Sequence, residues 1–169
     1  MFSIRHATKE DYDRILEIYE IARIFMREHG NPVQWGDVWP PADVVAEDIE
    51  VGRCYVCEAS GSVEGVFVYI QGVDVDPTYR VIEDGDWADP SEYGAVHRIA
   101  SSGRCPGLGT FCINWAFEQC GHLRMDTHGD NIVMQNLLTK LGFERRGIIH
   151  VEEDNEPRIA FEKSRSVRE

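Results

Sequence analysis

Apolar positions alternate weakly over residues 2–7, and Thr8-Lys9-Glu10-Asp11 then reads as a helix start, with the Thr8 hydroxyl placed to accept an N–H that the first turn leaves unpaired. Ile15, Ile18, Tyr19, Ala22, Phe25 and Met26 follow at three- and four-residue steps until His29-Gly30-Asn31-Pro32, which predicts one helix with a core-facing stripe. Pro40-Pro41 opens a second, shorter helix carrying Val44, Val45 and Ile49, and Gly52 ends it. Residues 53–59 and 63–71 are rich in β-formers, and Ser60-Gly61-Ser62 between them predicts an antiparallel hairpin.

Strand character returns over 95–101, and a glycine-bearing loop leads into a helix with the stripe Leu108, Phe111, Cys112, Trp115 and Ala116, closed by Gly121. A short strand over 122–125, a turn over 126–130 and a helix over 131–141 come next, the helix carrying Met134, Leu137, Leu138 and Leu141 before Gly142. Residues 143–151 and 158–163 predict a closing hairpin around an acidic turn, 152–156. The order is βααββ, a long loop, then βαβαββ: one α/β domain over 1–169, without internal repeats, with 164–169 expected to be a disordered tail. The loop, 72–94, holds Asp74, Asp76, Glu83, Asp84, Asp86, Asp89 and Glu92 against one base, Arg80. It exceeds a routine connection in length, and Tyr79, Trp87 and Tyr93 predict that part of it packs down.

Charge narrows the partners. Seventeen Lys and Arg against 30 Asp and Glu leave a formal charge of −13, which repels nucleic acid and anionic membranes and favours a cationic or amine-bearing partner. No apolar stretch approaches the roughly 20 residues of a spanning helix, and the start of the chain lacks a signal-peptide pattern, so the expected location is the cytoplasm. Five cysteines, an odd number, suit a reducing compartment. The C-x-x-C of Cys54 and Cys57 lies in a strand, whose period of two sends the sulfurs to opposite faces, and no second Cys/His pair completes a metal site.

Chemistry concentrates at Gly103-Arg104-Cys105-Pro106-Gly107-Leu108-Gly109-Thr110. A strand passing through such a loop into a helix presents unpaired N–H groups and the positive end of the helix dipole, an anion site. A nucleotide-hydrolysing phosphate loop needs a Lys before Thr110, and a dinucleotide fingerprint needs a Gly where Cys112 stands; both are missing. Arg104-Cys105-Pro106-Gly107-Leu108-Gly109 instead resembles the [RQ]-x-x-G-x-[GA] loop of the Gcn5-related N-acetyltransferases (GNAT). Val96-His97-Arg98-Ile99-Ala100-Ser101 resembles the strand that precedes it in that family, and residues 131–143 resemble its second helix, from Asn to Leu-Gly-Phe. Asn31-Pro32 with Gln34-Trp35, His97-Arg98-Ile99-Ala100 and Asp126-Thr127-His128 together resemble a bacterial subgroup.

The resemblance implies a mixed, mostly antiparallel, twisted sheet of about seven strands with flanking helices, and acetyl-CoA as cosubstrate without a metal. It implies pantetheine contacts at Ile99 and Ser101, with Ala100 between them, and at Asn131 and Asn136. It implies a diphosphate held by the N–H groups of Arg104, Cys105, Gly107, Leu108, Gly109 and Thr110; Pro106 has none. Where many members carry a Tyr that protonates the departing thiol, this chain has Leu138. An alkyl ammonium of pKa about 10 must lose a proton before it attacks a thioester, and His97, His128 (with Asp126 to orient it) and Glu92 acting through water are the candidate acceptors. Gln34, Trp35, Trp39, Tyr79 and Trp87 stand where the family walls its acceptor pocket. The expected reaction is direct acetyl transfer to a primary amine of a small molecule. A non-catalytic acyl-CoA-binding module and a protein or peptide N-acetyltransferase are the alternatives. The family fold often dimerises, and nothing in this sequence selects an oligomeric state.

Overall fold

The structure, a computed structural model, describes residues 1–152, 154 and 156–167. Seven strands form one mixed sheet in the order β1-β2-β3-β4-β5-β7-β6. They are β1 (Phe2–His6), β2 (Cys54–Ala59), β3 (Ser62–Gly72), β4 (Tyr93–Ser101), β5 (His122–His128), β6 (Glu144–His150) and β7 (Pro157–Ser164). The helices are α1 (Tyr12–Glu28), α2 (Ala42–Glu50), α3 (Leu108–Cys120) and α4 (Ile132–Lys140). This is the expected βααββ-βαβαββ order. The chain divides into two compact units, residues 1–69 with 97–113 and residues 70–96 with 114–169. Among the described residues no helix is long and apolar enough to cross a membrane.

In the first unit, β1 pairs antiparallel with β2, and β2 with β3. Ser60 and Gly61 join β2 to β3 with φ of 52° and 83°, the primed turn whose twist matches a two-residue hairpin. Asp11 caps the turn before α1, its carboxylate accepting the Thr8 N–H at 2.8 Å and pairing with Arg5 at 2.7 Å. Thr8 and Asp11 form the expected capping box, and Thr8 Oγ1 lies 3.3 Å from the Asp11 carboxylate. Ile15, Ile18, Tyr19 and Ala22 enter a core with Trp35, Val45, Cys54, Val56, Val66 and Ala100. Phe25 does not; 45% exposed, it stacks on His29 at 3.8 Å between ring centroids.

Asp48 of α2 is the polar centre of this unit. At 1% exposure it takes Arg53 Nε at 2.6 Å, and Arg98 Nε and Nη2 at 2.9 Å each. Arg98 lies inside β4 yet has φ of +49°, a left-handed conformation that costs a side-chain-bearing residue roughly 1–2 kcal/mol. The bidentate carboxylate holds its side chain, and the Tyr19 hydroxyl, donating at 2.7 Å, holds its carbonyl.

In the second unit, β4 runs parallel to β5 at Gly94 and Ala95, while β5 and β6 each pair antiparallel with β7. β5 extends three residues past the predicted strand because Asp126, Thr127 and His128 pair with Ala160, Ile159 and Arg158 of β7. The turn preference of Asp and His yields to a full ladder. The long acidic connection is pinned at several points. Asp76 caps a single 3-10 turn, Pro77–Tyr79, and Glu83 exchanges both backbone bonds with Ile148 at 2.8 Å. Tyr79 and Tyr93 join a core with Ala95, Ile149 and Ala160. Arg124 lies with its guanidinium carbon 4.2 Å from the rings of both Trp87 and Tyr93 and donates to the Asp89 carbonyl at 2.7 Å. Buried Glu162 accepts from the Ala88 N–H at 2.8 Å and lies 2.8 Å from His122 Nε2. Past β7, the Arg165 N–H donates to the Gly121 carbonyl at 2.9 Å, so the predicted tail packs at least that far; residues 168 and 169 lie outside the described residues, as do 153 and 155 of the acidic turn.

Replacing Asp48 by Asn leaves two guanidinium groups short of their buried countercharge, and is expected to lower unfolding free energy by about 3 kcal/mol in urea titration. A loss below about 1 kcal/mol would show that Arg98 keeps its conformation without the pair.

Candidate functional site

Beyond β4 the chain turns through Ser102 to Gly107 into α3. Gly103 and Gly107 have φ of +80° and +83°, conformations that glycine adopts without penalty. A Cβ built on either meets no atom within 4 Å, so the loop's outer side is open. The N–H groups of Gly107, Gly109 and Thr110 have no protein acceptor among the described residues, as expected ahead of and within a first helical turn. Two of the six predicted donors are otherwise engaged: the Arg104 N–H donates to Ser102 Oγ at 3.3 Å, and the Leu108 N–H to the Cys105 carbonyl at 3.3 Å.

Glu64, on β3, lies behind this loop, and sequence reasoning missed it. It sits in a run of apolar residues, where an acid reads as an outward-facing strand position, yet it is 3% exposed. Its carboxylate accepts from Ser102 Oγ at 2.5 Å, Ser62 Oγ at 3.0 Å, Arg14 Nη2 at 3.1 Å and both Nε (3.2 Å) and Nη2 of Arg104. Its carbonyl accepts the Ser102 N–H at 2.9 Å. The Arg104 guanidinium, with the Ser102 and Ser62 hydroxyls, holds the Glu64 carboxyl at about 2, against the cost of burial. The adjacent Gly65 has a separate task. A Cβ there would lie 2.4 Å from Leu108 Cδ2, so the missing side chain lets the start of α3 sit against β3.

In the same unit, His97 and Ile99 are half-buried on either side of left-handed Arg98, and Ala100 is in the core. Cys105 is a half-buried free thiol. Cys54 and Cys57 occupy different surroundings, as the strand period predicts: burial in the α1 core pushes the Cys54 thiol up to about 12, whereas Cys57 is hydrogen-bonded to Cys112 of α3. Trp35 is buried edge-on to Tyr19 at 5.7 Å, and Trp39 is half-buried, its carbonyl accepting from Arg23 at 3.2 Å. Gln34 Oε1 accepts from Asn31 Nδ2 at 2.9 Å.

In the second unit, His128 is the last residue of β5 rather than part of a turn. Its Nδ1 accepts the Asp130 N–H at 3.0 Å, so a neutral ring in this position carries its proton on Nε2. The ring as held offers a donor, not a free lone pair. The carboxylates nearest the ring are Asp130 at 3.7 Å and Glu156 at 4.0 Å, while Asp126 accepts from the Tyr79 hydroxyl at 2.7 Å. Tyr79 is 1% exposed, and Trp87 donates its indole N–H to the Tyr79 carbonyl at 2.8 Å, so both predicted pocket aromatics serve the packing of this unit. Glu92 is exposed, its carbonyl 3.0 Å from His122 Nδ1. Asn131 caps α4, accepting the Met134 N–H at 3.0 Å; Asn136 is exposed, and Leu138 is fully buried.

No protein-family model matches this chain, and no curated protein matches it by sequence. Solved structures do. A GNAT-family acetyltransferase from Streptococcus agalactiae is 29% identical, with a TM-score of 0.86 over 97% of this chain and 95% of that one. The fold is that of the Gcn5-related N-acetyltransferases. More distant structures share it: a Salmonella typhimurium protein solved with its cofactor acetyl-CoA is 16% identical (TM-score 0.63, 96% and 93% covered). The ribosomal-protein-S18-alanine N-acetyltransferase of Escherichia coli is 14% identical (TM-score 0.62, 100% and 97% covered). Among the described residues of this GNAT fold, no group of three or more His, Cys, Asp or Glu is placed to hold a metal.

Glu64 also ties this region to pH. An unfolded glutamate titrates near about 4.3. With its folded value depressed to about 2, the carboxylate's contribution is complete above the unfolded value and is lost as pH falls toward 2. Wild type is expected to lose its stability advantage over Glu64→Gln between about pH 4.3 and 2, as read from urea midpoints. A difference that stays constant across that window would contradict the ion-paired state.

Proposed function

We propose that this protein is an acetyl-CoA-dependent N-acetyltransferase acting on a primary amine of a small molecule. The observation that carries the reading is the set of unpaired N–H groups at Gly107, Gly109 and Thr110, opening α3 directly after β4 in a GNAT fold. Neutral donors converging at a helix N-terminus suit a diphosphate, and CoA supplies one. Ile99 and Ser101 then offer main-chain groups to the pantetheine amides, as an added strand would receive them.

Transfer by direct attack needs an amine freed of its proton. The nitrogen adds to the thioester carbonyl, the C–S bond breaks, the amine proton passes to a base, and CoA leaves as a thiolate that takes a proton from solvent. We assign the base to His97, which adjoins left-handed Arg98. His128 is less suited because its Nδ1 lone pair is occupied by Asp130. Leu138, fully buried, supplies no acid, and a leaving thiol of pKa about 8.5 departs at neutral pH without one. Gln34 and Trp39 are assigned to the acceptor side. A second reading, a CoA-binding module without turnover, draws on the same Leu138.

Incubation with acetyl-CoA and a panel of polyamines, amino acids, aminoglycosides and short peptides is expected to release thiol in the presence of a small amine. CoA binding without release across the panel would favour the module, and release with peptides alone would favour a peptide acceptor. Gly107→Glu directs a carboxylate to the loop's open side and is expected to abolish CoA binding in calorimetry with the fold retained; unchanged affinity would remove the loop assignment. His97→Ala is expected to lower kcat about 100-fold and erase the acidic limb of the pH profile. A profile that keeps that limb would transfer the role elsewhere.

A further inference from the structure

We infer that Glu64 is the positioning residue of the donor loop, and that it keeps the Arg104 guanidinium away from the CoA phosphates; this rests on the loop's assignment to CoA. A loop that binds through backbone N–H groups works only if those groups hold their direction. This one contains two glycines with left-handed backbones, the residues with most freedom to lose. Gly103 is flanked by Ser102 and Arg104, and both are tied to one carboxylate. Glu64 takes the Ser102 N–H on its carbonyl and the Ser102 hydroxyl on Oε2, and that hydroxyl oxygen in turn accepts the Arg104 N–H. Arg104 then closes the ring through Nε and Nη2.

The arrangement decides which groups meet the diphosphate. An arginine beside a phosphate loop is the ordinary choice for a bidentate phosphate contact. Here one bidentate edge of the guanidinium, Nε with Nη2, already faces Glu64, whose charge is shared with Arg14. The diphosphate is left to the neutral N–H groups of Gly107, Gly109 and Thr110 and to the positive end of α3. Arg104 thus acts through the loop's shape and not as a phosphate ligand.

The test is a double-mutant cycle on CoA binding by calorimetry, with acetyl-CoA kinetics alongside. Wild type must bind CoA; if it does not, the functional reading fails first and independently. Given binding, Glu64→Ala is expected to weaken CoA about tenfold and raise the acetyl-CoA KM to match, with kcat within about twofold. Glu64→Gln, which keeps shape and hydrogen bonding, should restore part of the affinity and stands in if the alanine variant does not fold. Arg104→Ala should weaken CoA to the same degree and no more, since either variant opens the same ring, and any loss in Glu64→Ala/Arg104→Ala beyond Glu64→Ala reads the contact that a freed Arg104 makes. Unchanged or tighter CoA binding in both Glu64 variants would overturn the positioning role. A loss in Arg104→Ala well beyond that of Glu64→Ala would overturn its separation from phosphate.

Discussion

Arg98 holds a left-handed backbone in the middle of β4, and the strand keeps that shape because a buried carboxylate grips the side chain while a buried phenol grips the carbonyl. Without Asp48 the extended conformation would be the cheaper one, and the regular alternation of side chains through His97, Arg98 and Ile99 would return. The pair therefore does more than stabilise α2 against the sheet. It sets the local geometry from which the chain enters the loop of residues 102–107. Such a pair adds little net energy over an apolar substitute, but breaking it by halves is costly, so the left-handed residue and the ion pair persist together.

The same device recurs. Glu64 organises the backbone of residues 102–104, and Glu162 and Asp89 organise the acidic connection, through the Ala88 N–H, Ser91, Ser164 and His122. In each case a carboxylate from a strand or loop takes the backbone or hydroxyl donors of chain that lies outside the regular helices and strands. A segment of that kind has no hydrophobic stripe to settle it, and directional bonds in a low-dielectric setting take over that role. The excess of acids over bases thus has two parts. Asp48, Glu64, Asp76, Asp89 and Glu162 are internal scaffolding, whereas residues such as Glu92 and Asp84 remain at the surface.

Electrostatics in the donor loop follow from this economy of charge. The cation nearest the glycines, Arg104, is paired with Glu64, and the N–H groups of Gly107, Gly109 and Thr110 are left without a protein acceptor among the described residues. Dipoles fixed by the fold need no reorganisation when a ligand arrives, and they bind an anion without the desolvation cost of a free guanidinium. At β5 the same logic places the His128 proton: a backbone donor on Nδ1 decides the tautomer, and with it whether the ring gives or takes a hydrogen.

Much of the fold was legible from periodicity and punctuation. The α1 stripe, the Ser60-Gly61 turn, the Asn131 cap and the glycine loop all write local physics into adjacent residues, and the element order followed from them. The turn of the chain at Gly103 and Gly107 ahead of α3 was legible for the same reason, since a glycine pattern before a helix is a local signal. What sequence reading misplaced depends on partners far along the chain: β5 runs on to His128 because β7 supplies a ladder. Glu64 left no trace at all, because one acid in an apolar strand looks the same whether it meets water or, as tertiary structure brings about here, residues 38 and 40 positions further along that need a countercharge and an acceptor. Sequence alone determines where the backbone can turn and which faces are apolar; which polar groups share a buried site is decided when the chain closes on itself, since that choice minimises unpaired charge over contacts no local pattern encodes.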